Sequence, residues 1–446
     1  MGAGPAARAA GATGRLADAE GRRGFGGTMP TKRLWSYENG LLAILTLSLG
    51  FTIFDRVALS LLSPFILVDL HLNNTALGIM SSALSVTLAI SGYIFGRLSD
   101  RTSNRKTILC LAVVLFSLFS AVSGLAVSLA TMVAARLLMG LTEGPILPLS
   151  YSIMAMESSG RRRSFNHGVL ANFATCLIGG VVGPIVLTQL ASAHGWRLAF
   201  FLTGAPGLIV SFLIFRFVRE PRAAGHPAAA EPSPRQGGGL TRLLARRNVW
   251  LCTLLICGLY TWLLVTLTFM PIYLVRVVGL KPTVMGYVSA LNGVSGFTLA
   301  IGVSWLADRI GRKPTVVLFC LVGLLTPIGA LFFHTALPAM IALMFLGWSA
   351  IGCSPLLAGT IPSESVSPAE VARTLALIIG VGEVFGGVVM PTVAGWAADR
   401  WGLQAPLWIV LAVTAATAVL ALFLRETLPA RAPAAAAAGG AAISVH

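Results

Sequence analysis

Charge is scarce in this 446-residue chain. Asp, Glu, Lys and Arg together make up 11% of it, and the acids are scarcer still: 16 Asp and Glu against 32 Lys and Arg, a net charge of +16. A soluble domain carries about 25% charged residues. So low a share excludes an ordinary cytosolic enzyme, a nucleic-acid-binding domain and a disordered polypeptide. Cysteine is sparse too. Cys110, Cys176, Cys252, Cys257, Cys320 and Cys353 all fall inside apolar runs, with no CxxC pair and no metal spacing. They read as buried small apolar residues rather than a disulfide framework or a metal site. No Gly-rich loop precedes a Lys-Ser/Thr pair, which argues against ATP drive. No Ser, His and Asp, and no carboxylate pair, converge by spacing as a hydrolase would need, so the chain does not read as an enzyme. No short apolar core with a cleavage site stands near the start. Met-Gly-Ala-Gly-Pro-Ala lacks the Ser or Thr of a myristoylation signal. Met29 is an alternative start. No long folded tail or loop suggests a receptor.

What the chain does have is apolar sequence, 56% of its residues, with a mean hydropathy of +0.83. Such a chain belongs in a membrane. Apolar runs of helical length cover 40–67, 76–98, 107–126, 131–156, 165–191, 199–218, 249–275, 284–306, 315–333, 337–361, 374–396 and 405–423. Lipid offers no partner to unpaired backbone groups, so these spans are helices. The expectation is an all-α membrane protein of twelve transmembrane helices in two six-helix halves, 34–218 and 248–428. The tails 1–33 and 429–446 read as disordered. A polar stretch at 219–247 holds Pro221, Pro227, Pro232 and Pro234 and three consecutive glycines at 237–239. It reads as a linker that ends in a short basic amphipathic helix, LTRLLARRN, on the membrane surface.

The excess of positive charge sets an orientation. With the N-terminus inside, twenty-six Lys and Arg fall on the inner side, and only Arg197, Arg276, Lys281 and Arg400 fall in outer loops. Arg56 and Arg136 lie within spans. This asymmetry places both termini in the cytoplasm. It also accounts for the net +16 without a nucleic-acid partner, and the cytoplasmic (inner or plasma) membrane is the expected location.

The second half repeats the first at an offset of about 207 residues. Pro64 falls on Pro271, Gly140 on Gly347, Pro148 on Pro355 and Glu157 on Glu364, and Gly179–Pro184 falls on Gly386–Pro391. Arg219-Glu220 and Arg425-Glu426 end the two halves, one residue off register. Matched prolines and glycines fix matched kinks and close helix contacts, so the two halves are pseudo-symmetric. The loops after spans 2 and 8 repeat as well. One runs from Gly96 through Asp100-Arg101 to Arg105-Lys106. The other runs through Asp308-Arg309-Ile310 to Gly311-Arg312-Lys313. By these paired GxLxDRxGRK loops the chain, over about 34–428, resembles the major facilitator superfamily. The first copy has one extra residue and no Gly after Asp-Arg, and the second has Ser304 where Gly is usual. The resemblance implies a secondary transporter whose loop charges gate a two-state machine. The plainer alternative is that they anchor helix ends among headgroups.

Five charges lie in the apolar spans: Asp55, Arg56, Arg136, Glu143 and Glu383. A charge at the bilayer centre costs about 2.5–3.5 kcal/mol on insertion scales, so each is a functional-site candidate. At the offset they fall on Trp262, Leu263, Leu343, Ala350 and Cys176, so the fold does not need a charge there. Arg136 and Glu143 are seven residues apart and share a helix face about 10 Å apart in height. Three acids and two bases leave −1, and an anionic substrate deepens the imbalance. Binding a proton with the anion relieves it, and the planar arginine fork suits a carboxylate.

Phe54-Asp55-Arg56 with Ser60 and Pro64, and Arg136 with Gly140, Glu143 and Pro148, resemble the anion:cation symporter branch of the superfamily. That branch imports small carboxylates and sugar acids with protons. The resemblance implies that Arg56 and Arg136 bind the carboxylate while Asp55 and Glu143 carry protons. Glu383 is outside the pattern, and either adds a proton site or reads a substrate hydroxyl or amine. Spinster-like lysolipid transporters share the same pairs, so a proton-coupled exporter of lysolipid or drug-like amphiphiles is the alternative. Gly183-Pro184 resembles a drug-antiporter signature, but Leu187-Thr188 replaces its glycines. Asn172, Tyr260, Trp262 and Asn292 are further candidates to line the cavity. No cofactor or metal is expected. The expected partners are a small organic anion, protons and the bilayer, and the expected state is a monomer.

Overall fold

The computed structural model describes residues 37–102, 104–160, 162–220, 246–367 and 370–428. The side chains of 93, 96–102 and 164 lie outside that description. So do the expected tails, residues 221–245 of the linker with most of its expected amphipathic helix, and the side chains of Gly96, Asp100 and Arg101.

Among the described residues, eleven helices are long and apolar enough to cross a membrane. They are α1 (Tyr37–Asp69), α2 (Asn74–Thr102), α3 (Arg105–Gly124), α4 (Leu129–Glu157), α5 (Phe165–His194), α6 (Trp196–Phe217), α7 (Arg247–Arg276), α8 (Pro282–Ile310), α9 (Arg312–Phe332), α10 (Leu337–Ser365) and α11 (Val371–Trp401). A shorter apolar helix, α12 (Ala405–Ala421), is the twelfth. Each coincides with an expected span, and the ends move outward by a few residues at most of them. Charged residues at the water boundary extend the helices beyond the purely apolar runs.

The expected kinks appear where the prolines are. Helix α5 runs as a π-helix over Phe173–Val182 and returns to α at Gly183-Pro184. Helix α11 does the same over Val384–Val389, before Met390-Pro391. A proline lacks the N–H that an α-turn needs and its ring crowds the carbonyl four residues back. The wider π-turn gives both room. Helix α4 breaks at Gly144-Pro145, just after Glu143, and α10 tightens into a 3-10 turn at Ser349–Cys353 at the matching depth.

Call the side on which α1 begins the terminal face. On the opposite face the first six spans close against the last six, α2 along α11 and α5 along α8. The α5–α8 crossing is tight because two glycines meet. A Cβ on Gly180 would lie 3.0 Å from Gly293 Cα, and a Cβ on Gly293 would run into the Gly180 carbonyl. At the α2–α11 crossing the Asp399 carboxylate accepts from Asn74 N and Nδ2 at 2.8 and 2.9 Å. It also accepts from Thr75 N at 2.8 Å and Oγ1 at 2.5 Å. It thus caps the start of α2 from another helix, using N–H groups the helix cannot satisfy itself.

The Arg-Glu repeat at the ends of α6 and α12 also has a role. Glu220 accepts from Lys106 N at the start of α3, at 3.2 Å from each oxygen. Glu426 accepts from Arg312 N at 2.8 Å and Lys313 N at 3.1 Å at the start of α9. Gly311 turns the chain there at φ 112°, a conformation that suits glycine. Arg312 pairs with Asp308 and, at 3.3 Å, with Glu364. Arg309 stacks on Trp305, 4.1 Å from the ring centre. Lys106 lies over the Phe215 ring, and Arg105 Nη1 donates to the Met156 sulfur. Asp308 and Arg312 thus tie the second loop to its own helices.

Candidate functional site

A cavity of about 330 Å³ lies at mid-depth between the two sets of six spans. On α1 its wall includes Ile53, Arg56, Val57 and Ser60, a stripe at helical spacing, with Leu59 and Leu61 beside it. Asp55 is one residue, about 100°, off that stripe, and faces the interior of the first six spans. It is fully buried. Its Oδ1 accepts from Ser120 Oγ of α3 at 2.6 Å and Thr203 Oγ1 of α6 at 2.7 Å, and its Oδ2 has no partner.

Arg56 reaches across the cavity. Its Nη1 is 3.7 Å from Glu143 Oε1 and its Nη2 donates to Glu383 Oε1 at 3.2 Å. Three of the five membrane charges are therefore one connected group, and the Arg56–Glu383 pair joins the first six spans to the last six. Nothing in the sequence linked residues 327 positions apart.

Arg136 differs. It is fully buried, lines the cavity, and lies over the Phe200 ring at 5.2 Å. Its Nε, Nη1 and Nη2 have no hydrogen-bond partner. Asp55 and Glu143 act on it as the nearby negative charges. A guanidinium with five unspent donors beside an apolar cavity is built to receive a planar anion. The two arginines assigned alike from sequence are thus unlike in the structure: Arg56 is held by two carboxylates, and Arg136 by none at hydrogen-bond distance.

Tyr260 and Asn292 line the cavity. Trp262 and Asn172 do not, and both expectations are corrected. Trp262 is two residues, about 200°, from Tyr260 on α7, so it points the other way. Its Nε1 donates to Gly323 O at 3.1 Å inside the last six spans, and its ring sits 5.1 Å from Trp348. Asn172 precedes the π-turn of α5 and donates to Gly168 O of its own helix at 3.1 Å. Trp348, Ser81, Thr266 and Thr268 line the cavity unforeseen, because single Ser, Thr and Trp residues are common in apolar spans. Among the described residues no cluster of His, Cys, Asp or Glu is arranged to hold a metal. The cysteines are free thiols, and Cys176 is on the cavity wall.

The sequence pattern of the Major Facilitator Superfamily matches residues 45–378, with a second match at 303–445. The chain belongs to that superfamily. It is 33% identical over 264 residues to a hexuronate transporter of Bacillus subtilis (strain 168), a match that covers 58% of this chain and 62% of that protein. It is 26% identical over 418 residues to a probable sulfoacetate transporter of Cupriavidus necator, covering 88% and 95%. Its fold is similar to the crystal structure of a D-xylose-proton symporter, with a TM-score of 0.72 and 19% identity, over 88% of this chain and 99% of that one. The chain is therefore a multi-pass membrane transporter for small organic solutes, not an enzyme, as its superfamily and helices imply.

Proposed function

We propose that the chain is a secondary active transporter that imports a small carboxylate with protons, by alternating access about the central cavity. One observation carries this: Arg136, fully buried at the cavity wall, has no protein partner for any guanidinium nitrogen. A buried cation with unspent donors is expensive unless something arrives to use them. A carboxylate matches its fork geometry. The resemblance to hexuronate and sulfoacetate transporters supports the same class, since both named compounds are organic anions.

Proton coupling follows from the charge count. Asp55, Glu143 and Glu383 face Arg56 and Arg136, leaving −1 before cargo arrives and −2 once a monoanion is bound. A proton taken up by one carboxylate restores the starting balance. Glu143 contacts Arg56 and acts on Arg136, so its protonation loosens one arginine as the other is occupied. Asp55, with one unpaired oxygen, is the second proton site. The Arg56–Glu383 pair across the halves is an element whose making and breaking accompanies rocking of the two sets of helices. The transporter works as a monomer in the cytoplasmic membrane with both termini in the cytoplasm, in line with the asymmetry of Lys and Arg. Export of a lysolipid or drug-like amphiphile is the second reading, favoured by the apolar share of the cavity wall.

The test is the pH outside proteoliposomes when a panel of carboxylates is added to wild type, Arg56→Ala and Glu143→Gln. The outer medium is expected to become alkaline with at least one carboxylate, and both variants lose the response. Proton movement with lysolipids or dyes, and with no carboxylate, overturns the reading.

A further inference from the structure

The reading above leaves the cargo as any small carboxylate. We infer that the cavity selects a carboxylate of single charge with an apolar, ring-like body, and that Glu383 sets the single charge by occupying Arg56. The inference rests on the reading that Arg136 holds the carboxylate.

The first ground is the allocation of the two arginines. A dianion needs two cations to receive it. Here Arg56 has a carboxylate at each end, Glu143 at 3.7 Å and Glu383 at 3.2 Å, and only Arg136 has its donors unspent. A second substrate carboxylate would have to displace Glu383 from Arg56 and would meet it as a like charge. Glu383 comes from α11, in the last six spans, and the matching position in the first six spans is Cys176. It is therefore an addition to the repeat, placed where it neutralises one of two cations.

The second ground is the wall beyond the charges. Leu59, Met80, Leu263, Leu267, Met270 and Ile351 form much of it, and Trp348 adds an aromatic face. Two of the hydroxyls on the wall engage each other. Thr268 Oγ1 donates to Leu264 O at 2.7 Å and is 3.2 Å from Ser81 Oγ. Other polar groups, at Asn292, Tyr260 and Thr266 and the small hydroxyls of Ser60, Ser85 and Thr175, are single and set among apolar neighbours. A polyhydroxylated acid would set more hydroxyls against this mostly apolar wall than scattered single groups can pair, and each one left unpaired is unfavourable. A flat apolar ring fills the same space and stacks on Trp348.

The experiment is calorimetric binding to the full chain in nanodiscs. The probes are benzoate, terephthalate (the same ring with a second carboxylate) and galacturonate (one carboxylate on a hydroxylated ring). Wild type is expected to bind benzoate at least tenfold more tightly than either of the others. In Glu383→Gln, Arg56 is released and the benzoate-to-terephthalate ratio is expected to fall at least tenfold, with galacturonate still weak. Wild type binding galacturonate or terephthalate as tightly as benzoate overturns the inference. So does an unchanged ratio in a Glu383→Gln protein that is monodisperse and melts like wild type. If that variant does not fold, the three wild-type affinities decide alone. No binding of any carboxylate overturns both this inference and the transport reading. Benzoate binding with the expected ratios but no proton movement upholds this inference and removes the proton coupling.

Discussion

Replacing Arg136 by Gln removes a guanidinium on the cavity wall whose three nitrogens have no hydrogen-bond partner, and the size of the effect follows from its geometry. A carboxylate on the arginine fork gains two charge-assisted hydrogen bonds, each about 1.5–3 kcal/mol. Their sum, about 3–6 kcal/mol, corresponds to roughly a hundredfold to ten-thousandfold weaker binding, at about 1.4 kcal/mol per decade. The same change leaves Asp55 fully buried without its facing cation, and an uncompensated buried charge destabilises by about 3–5 kcal/mol. A single variant therefore confounds binding with folding. The pair of changes Asp55→Asn and Arg136→Gln removes both charges together, and its Asn keeps an acceptor for Ser120 and Thr203. The double variant is expected to recover most of the melting temperature that Arg136→Gln loses, and none of the carboxylate affinity. Arg136→Lys keeps the charge but loses the fork, and falls between wild type and Gln. Calorimetric titration with a carboxylate and a thermal melt on each protein read the two effects separately. Wild-type affinity in a folded double variant would refute the assignment of Arg136.

Three further outcomes are expected. Gly293→Val drives a side chain into the Gly180 carbonyl and wedges α5 from α8, so spin-label distances across the opposite face should lengthen; unchanged distances would count against that crossing as the seal. Asp399→Ala strips four donors at the start of α2 of their acceptor. At about 1 kcal/mol for a lost cap, it should raise the population open on the opposite face roughly fivefold, read by thiol labelling of engineered cysteines. Partial burial raises the Glu426 carboxyl, but N–H groups of Leu428, Arg312, Lys313 and Thr427 win and hold it below the usual glutamate range. Its stabilisation is then complete at neutral pH and fades as pH falls through that lower value. Glu426→Gln should lower the melting temperature at pH 7 and narrow its gap to wild type in acid, whereas a gap independent of pH would contradict the role.

Most of the frame was legible because membrane spanning leaves a strong mark. Twelve apolar runs, the prolines that force π-turns in α5 and α11, and the Arg-Glu ends that cap α3 and α9 are all local or repeated signals. The membrane charges stood out for the same reason. What was not legible was direction around each helix axis and contact between distant spans. Asp55 and Arg56 are neighbours in sequence, yet one faces Ser120 and Thr203 and the other the cavity. Trp262 was assigned to the wall by type, and the helical turn from Tyr260 sends it elsewhere. Glu383 looked isolated until folding set it against Arg56. No periodicity carries such information, because it depends on how α1 and α11 cross.

Uptake of a labelled carboxylate into proteoliposomes under an imposed pH gradient tests the central claim most directly. With the protein reconstituted in one orientation and the lumen made alkaline, the account predicts accumulation above the outside concentration. That accumulation should collapse with a protonophore and be absent in Arg136→Gln. Equal concentrations on both sides whatever the gradient, or accumulation only when the gradient is reversed, would contradict coupled import.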